Sequence, residues 1–202
     1  MSPPDKRVPD KAGMMYRHIG KRILDLVLAS AATLLLLPPM VVIIALIKAT
    51  DPGPVFFIQS RVGRDGRQFR LYKFRSMPVD TGDLPSSEVG EIPMSWVGRF
   101  VRRTNFDELP QVFNVLAGDM SLVGPRPPIP SQESLIEMRR KNGALRCKPG
   151  MTGLAQINSF DGMSDEDKAR FDGEYARNIT LAGDLAIITR TFAYLAKKPP
   201  VY

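Results

Sequence analysis

The chain has one cysteine, Cys147, one histidine, His18, and one tryptophan, Trp96, in 202 residues. A single cysteine excludes an internal disulfide and suits a reducing compartment. A single histidine argues against a Ser-His-Asp triad and against a histidine-rich zinc centre. There is no internal repeat and no low-complexity tract. Acidic residues are in deficit: 28 Lys and Arg stand against 21 Asp and Glu, a formal net charge of +7 with a pI near 9.7. That balance favours a polyanionic partner: nucleic acid, nucleotide or an acidic membrane surface. At this length one domain plus an appendage is expected.

What is present begins with a hydrophobic run. Residues 1–16 open with a stretch rich in Pro, Asp and Lys and read as a mobile tail. Arg17, His18, Lys21 and Arg22 then precede an apolar run from Ile23 to Ile47, broken only by the charge of Asp25. It is long enough for a membrane helix and too long for the apolar core of a signal peptide, and no small-x-small cleavage site precedes Lys48. Pro38 and Pro39 each remove a backbone donor and crowd the carbonyls of Leu34 and Leu35, which predicts a sharp bend. Ser30 or Thr33 hydroxyls are candidate partners for those carbonyls, and Asp25 is expected to pair with Lys21 or Arg22. Cations flank both ends of the run, so a full crossing would leave one basic flank outside. Crossing, re-entry and a buried core helix all remain open from the residues alone.

Beyond the turn cluster Asp51-Pro52-Gly53-Pro54, the stretch 55–59 reads as a strand, Gly63-Arg64-Asp65-Gly66 as a hairpin turn, and 69–77 as the return strand. Six cations against one acid between Arg61 and Arg75 suggest a surface for phosphate or lipid head groups. Residues 78–95 read as a flexible loop, and 96–102 as a short amphipathic helix. Asp107 and Glu108 come next, where a helix running to Gly118 is expected to begin. Pro110 fits only its first turn, which puts Asp107 at or beside the N-cap. There the helix dipole and Arg99, Arg102 and Arg103 would favour an ionised carboxylate, able to act as nucleophile or metal ligand, or simply as a cap. Prolines around Arg126 would hold its guanidinium for bidentate phosphate binding. Helices are expected at 131–142, after a Ser164 cap, and at 181–195. The last places Leu181, Leu185, Ile188, Phe192 and Leu195 on one stripe, which suits a core or a membrane interface.

Taken in order, these pieces resemble the bacterial sugar transferases, the monotopic phosphoglycosyl transferases, over about residues 20–200. The resemblance rests on Lys21-Arg22-x-x-Asp25, the proline-broken run, Gly53-Pro54-Val55-Phe56-Phe57-x-Gln59-x-Arg61-x-Gly63 and Lys73-Phe74-Arg75-Ser76-Met77. It continues through Asp107-Glu108-Leu109-Pro110-Gln111, Asn114-Val115-Leu116-x-Gly118-Asp119-Met120-Ser121, Val123-Gly124-Pro125-Arg126-Pro127 and Pro149-Gly150-x-Thr152-Gly153-x-Ala155-Gln156.

The resemblance implies transfer of a sugar 1-phosphate from a UDP-sugar to a polyprenyl (undecaprenyl) phosphate, with release of UMP, at the inner face of a bacterial cytoplasmic membrane. Asp107 would be the nucleophile and Glu108 would help bind Mg²⁺, with Asp107 also within the metal's reach. Lys73, Arg75, Arg102, Gln111, Pro125, Arg126 and Pro127 would meet the substrate. The implied fold is mixed α/β and mostly helical: a re-entrant helix over 17–50 breaking at Pro38 and Pro39, then a small cytosolic domain over 51–202 with a β-hairpin and interfacial amphipathic helices. Partners would be the UDP-sugar, the polyprenyl phosphate, anionic lipid of the inner leaflet and a second copy in a homodimer, with no nucleic acid. Two departures stand out. Relatives often carry Ser-Pro at the helix break, where this chain has Leu37-Pro38-Pro39, and many carry Asn-Gly-Arg where this chain has Asn158-Ser159-Phe160. Rival readings are a non-enzymatic basic module on nucleic acid or lipid, and a glycosyltransferase that leaves UDP.

Overall fold

The apolar run folds into one helix. In the computed structural model, which describes residues 14–79, 94–158 and 163–195, a π-helical turn Tyr16–Gly20 leads into α1, Lys21–Thr50. The start of the N-terminal tail, most of the expected 78–95 loop, the departure at 159–161 and the lysines after the last helix lie outside the described residues. Pro38 and Pro39 sit inside α1, so the helix does not end there. They withdraw two donors without interrupting it. Thr33 Oγ1 donates to Ala29 O at 2.7 Å and is therefore not the partner for the carbonyls freed at Leu34 and Leu35.

One face of α1 is buried at both ends, through Asp25 and Ala29 and then through Met40, Ile43 and Ile47, with partly buried Ala32 and Leu36 between. Ala29 packs with Leu71, Val112, Val115 and Met120. Met40, Ile43 and Ile47 pack with Val55, Phe74, Val97 and Val101. Both halves of the helix thus lie on the rest of the protein. The opposite face, with Ile23, Val27, Leu34, Leu35, Val41 and Val42, is exposed.

The charges at the base of α1 take partners other than each other. Asp25, expected to pair with Lys21 or Arg22, instead accepts from Ser121 Oγ at 3.0 Å and Leu122 N at 2.9 Å. Lys21 Nζ reaches Asp184 Oδ2 at 2.6 Å. Arg22 donates to Val115 O at 2.6 Å and Leu116 O at 2.9 Å, carbonyls in the last turn of a helix, the first of which also accepts from Gly118 N.

The hairpin forms as the alternation predicts. β1 (Phe56–Val62) pairs antiparallel with β2 (Gln68–Phe74), from Phe56↔Phe74 to Val62↔Gln68. Asp65 and Gly66 take positive φ in the turn. Helix α2 (Trp96–Arg103) is capped by Ser95 Oγ, which accepts from Gly98 N. It buries Val97 and Val101 and exposes Trp96 and Phe100. A 3₁₀ turn, Phe106–Glu108, precedes α3 (Gln111–Ala117), which ends at Gly118 with φ 96°.

A second, parallel pair joins β3 (Ser121–Val123) to β4 (Gly150–Thr152). A Cβ on Gly124 would press on the Lys148 carbonyl oxygen, and one on Gly150 on the Gly124 amide, so both glycines are needed for this approach. Around the pair lie α4 (Glu133–Asn142), α5 (Leu154–Ile157), α6 (Asp165–Arg177, capped by Ser164) and α7 (Leu181–Leu195). On α7 the residues turned inward are Asp184 and Ile187, while Leu181, Leu185 and Phe192 of the expected stripe are exposed. Of the stripe, Ile188 packs against the core while these three face outward.

Candidate active site

Asp107 and Glu108 lie in the 3₁₀ turn, not at a helix N-cap; the N-cap of α3 is Pro110, without a side-chain bond. The cause is Asn105. It adopts a left-handed conformation, φ 57°, which Asn tolerates better than most residues, and this ends α2 and starts a separate turn. The α3 dipole is therefore not what sets the charge of Asp107.

Cations set it. Lys73 Nζ and Arg126 Nη2 both reach Glu108 Oε1, at 2.9 and 2.6 Å. They arrive from separate elements. Strand alternation puts Lys73 on the face of β2 that also carries Phe69 and Leu71, and that face packs with α3 residues Val112 and Val115. Asn114, fully buried, fixes the strand to the helix. Its Oδ1 accepts from Tyr72 N at 3.1 Å and its Nδ2 donates to Arg70 O at 2.7 Å, as a strand partner would. Arg126 stands exposed between buried Pro125 and Pro127.

The two carboxyls are driven apart in acidity. Burial works against the charge of Glu108, but Arg126 and Lys73 outweigh it and hold the carboxyl well below the usual range. For Asp107 burial is the largest influence and pushes it up to about 6; Lys73, Arg126 and Arg102 oppose this, and the Glu108 charge adds to it. The expectation that its basic surroundings favour an ionised Asp107 holds in direction for the cations, but burial opposes them. The cations lower it, but burial wins, and Glu108 takes the ion pairs. At neutral pH Asp107 is still largely ionised.

Of the other expected site residues, Arg102 comes close enough for its charge to act on Asp107, and Gln111 is buried at the start of α3. Arg75 does not join them. It is buried, donates to Asp51 O at 2.5 Å and pairs with Asp51 Oδ1 at 3.2 Å, tying the end of β2 to the chain leaving α1. The basic surface expected of the hairpin is correspondingly smaller. Lys73 serves Glu108, Arg61 bonds Pro127 O and Gln59 Oε1, and only Arg64, Arg67 and Arg70 of the six cations are exposed. Residues that sequence reasoning gave no role are Asn114 and the buried pair Arg139–Asp172, and Arg61, expected on a basic surface, serves the Pro127 carbonyl instead. Their one visible signal was membership of, or proximity to, the motif blocks.

Among the described residues no group of three or more His, Cys, Asp or Glu could form a protein-only metal cage. The pair Asp107–Glu108 does fit Mg²⁺, which takes one or two carboxylates together with substrate phosphates.

One long helix with an exposed apolar face thus accompanies a pair of adjacent carboxylates, of which Glu108 is ion-paired with two cations from separate elements. The chain belongs to the bacterial sugar transferase family, whose model matches residues 16–198. It is 37% identical to the UDP-galactose-lipid carrier transferase of Erwinia amylovora, over 97% of this chain and 44% of that protein. It is 41% identical to the UDP-glucose:undecaprenyl-phosphate glucose-1-phosphate transferase of Klebsiella pneumoniae, over 86% of this chain and 39% of that protein. With the exopolysaccharide production protein ExoY of Rhizobium meliloti it shares 35% identity, over 91% and 89% respectively. The chain thus spans less than half the length of the first two and most of the third.

Proposed function

We propose that this protein transfers a sugar 1-phosphate from a UDP-sugar to polyprenyl phosphate and releases UMP. The observation that carries the reading is the Asp107–Glu108 pair with Lys73 and Arg126 on one Glu108 oxygen. Names of relatives that act on undecaprenyl phosphate support it.

The carboxylate of Asp107 attacks the β-phosphorus of the UDP-sugar. A bond from a carboxylate oxygen to phosphorus forms, giving an acyl phosphate, and the bond from that phosphorus to the bridging oxygen breaks, its electron pair leaving with UMP. An oxygen of polyprenyl phosphate then attacks the same phosphorus, and the bond to Asp107 breaks and restores the carboxylate. Dividing the displacement in two is what a carboxylate nucleophile offers. Lys73, Arg102 and Arg126 supply fixed positive charge around the phosphoryl oxygens. Mg²⁺, held by Glu108 with Asp107 and the substrate phosphates, would supply further charge neutralisation.

The contacts of α1 support a membrane placement. At about 1.5 Å per residue the helix is about 45 Å long, beyond the ~30 Å of a hydrocarbon core, so length alone permits a crossing. Yet Arg22 and Asp25 at one end and Ile43 and Ile47 at the other pack on the same protein body. A crossing helix would carry its second half away from that body. Re-entry accommodates both contacts, with Leu34 and Leu35, each 76% exposed and next to the prolines, at the deepest point. Exposed Trp96, Phe100, Leu181, Leu185 and Phe192 would lie in the interface.

The test is a UDP-sugar panel with polyprenyl phosphate and Mg²⁺ in detergent, with product identification. UMP release, lost in Asp107→Asn, is the expected result. UDP as product means transfer of the sugar alone, and wild-type turnover by Asp107→Asn means the nucleophile lies elsewhere.

A further inference from the structure

The Pro125-Arg126-Pro127-Pro128 turn cannot hold itself. Three of its four residues lack an N–H, so its carbonyls depend on donors from outside. Each carbonyl has one. Pro125 O accepts from Gly150 N at 2.9 Å and Pro128 O from Val62 N at 2.9 Å. Pro127 O accepts from Arg61 Nη1 at 3.0 Å, and Arg126 O from Arg139 Nη1 at 2.8 Å. The residue that touches Glu108 is therefore held at its own carbonyl by a second arginine.

That second arginine is itself fixed. Arg139 Nε donates to Asp172 Oδ2 at 2.8 Å and its Nη2 lies 2.6 Å from the same oxygen in an ion pair, with Arg139 only 3% and Asp172 1% exposed. Burying such a pair is costly, and apolar residues of similar volume often serve stability as well or better. What apolar residues could not supply is a donor aimed at Arg126 O. A guanidinium can, because its planar fork places Nη1 on the carbonyl while Nε and Nη2 stay on the carboxylate. Asp172 comes from α6 and Arg139 from α4, so the pair also brings two helices to bear on one turn.

We infer that Arg139, oriented by Asp172, is a positioning residue for the transfer reaction: it grips the Arg126 carbonyl and so aims the Arg126 guanidinium at Glu108. The inference rests on the reading of the site proposed above, and it assigns Arg139 no contact with substrate. Arg61 holds the neighbouring carbonyl and acts in the same sense.

A double-mutant cycle tests it. Arg139→Lys keeps a charge for Asp172, but one ammonium cannot span both the carboxylate and the Arg126 carbonyl. The variant is expected to fold and to lose about tenfold in kcat/KM for the UDP-sugar, the scale of one hydrogen bond to a charged group. Asp172→Asn, which keeps the side-chain shape, is expected to fall in the same direction. Because the effect passes through Arg126, neither substitution should lower the residual rate of an Arg126→Ala protein. Losses that multiply in that background, or single variants that work at the wild-type rate, overturn the inference and leave the pair a purely structural role. Should Arg139→Lys be recovered unfolded, Asp172→Asn decides by the same comparison. The wild-type rate of UMP release tests the reading of the site; the cycle, a ratio of ratios, tests the positioning role alone.

Discussion

Lys73 Nζ lies 2.9 Å from Glu108 Oε1, across 35 residues of sequence, because Asn114 binds β2 to the helix that follows Glu108. The contact depends on register. A slip of one residue in β2 would turn Lys73 to the opposite face and put Tyr72 or Phe74 in its place. Removing Asn114's amide should therefore act on the site from a distance. Asn114→Leu, similar in size but without donors or acceptors for Tyr72 N and Arg70 O, is expected to lower stability by about 1–3 kcal/mol through unpaired backbone groups. It should also lower turnover in the protein that remains folded. A variant with reduced thermal stability but full specific activity would show that β2 keeps its place without this link.

Glu108 is the group both cations hold, so its charge and not its shape is what matters. Glu108→Gln keeps the shape and is expected to cost about a hundredfold or more in UMP release, the scale seen when one fixed electrostatic partner of a reaction is removed. Chelation with EDTA should abolish release by the wild-type protein, and Mg²⁺ should restore it. Full activity in EDTA would remove the divalent cation from the proposal while leaving the aspartate chemistry standing.

Arg75 provides the opposite case. It sits in the same Lys73-Phe74-Arg75 stretch as Lys73, yet it is buried on Asp51. Arg75→Met is expected to destabilise by about 1–3 kcal/mol, since Asp51 and its carbonyl lose a charged donor. The KM for UDP-sugar in the folded fraction should stay unchanged. A large rise in KM without a fall in melting temperature would return Arg75 to the substrate site.

These two neighbours show what the sequence could and could not convey. The hairpin was legible from alternation and the Gly63–Gly66 turn, the end of α3 from Gly118, and the start of α6 from Ser164, because each depends on interactions within a few residues. The long apolar helix was legible from its run. The partners of the charges were not. Lys73, Arg61 and Arg75 look alike in a basic stretch, but one meets a carboxylate, one a proline carbonyl and one a turn, at separations from 24 to 66 residues. Asp25 shows the same limit: charges adjacent in sequence lost to a serine and an amide 96 and 97 positions away. The position of Asp107 was missed by one turn, because Pro110 is acceptable both inside a first turn and as the residue before one. Asn105 decided between them by going left-handed.

Cys147 offers the means to examine membrane placement. Burial, the largest influence, raises its thiol pKa, with nearby Arg17 and Lys21 opposing. The neutral thiol is therefore favoured, and the reactive thiolate forms only at higher pH than for a free cysteine. Alkylation of the native protein by a maleimide at pH 7 should be slow, and should speed up as pH rises or when the protein is unfolded. A quiet native thiol makes the wild-type chain a low background for topology work, with Cys147→Ala as a further control. In that background, Ser2→Cys and Tyr202→Cys are each expected to escape a membrane-impermeant maleimide in intact cells and to label after permeabilisation, since re-entry leaves both basic flanks of α1 on one side. Labelling of Ser2→Cys from outside, with Tyr202→Cys protected, would mean that α1 crosses the bilayer. The contacts of Arg22 and Asp25 with the domain would then have to break on insertion.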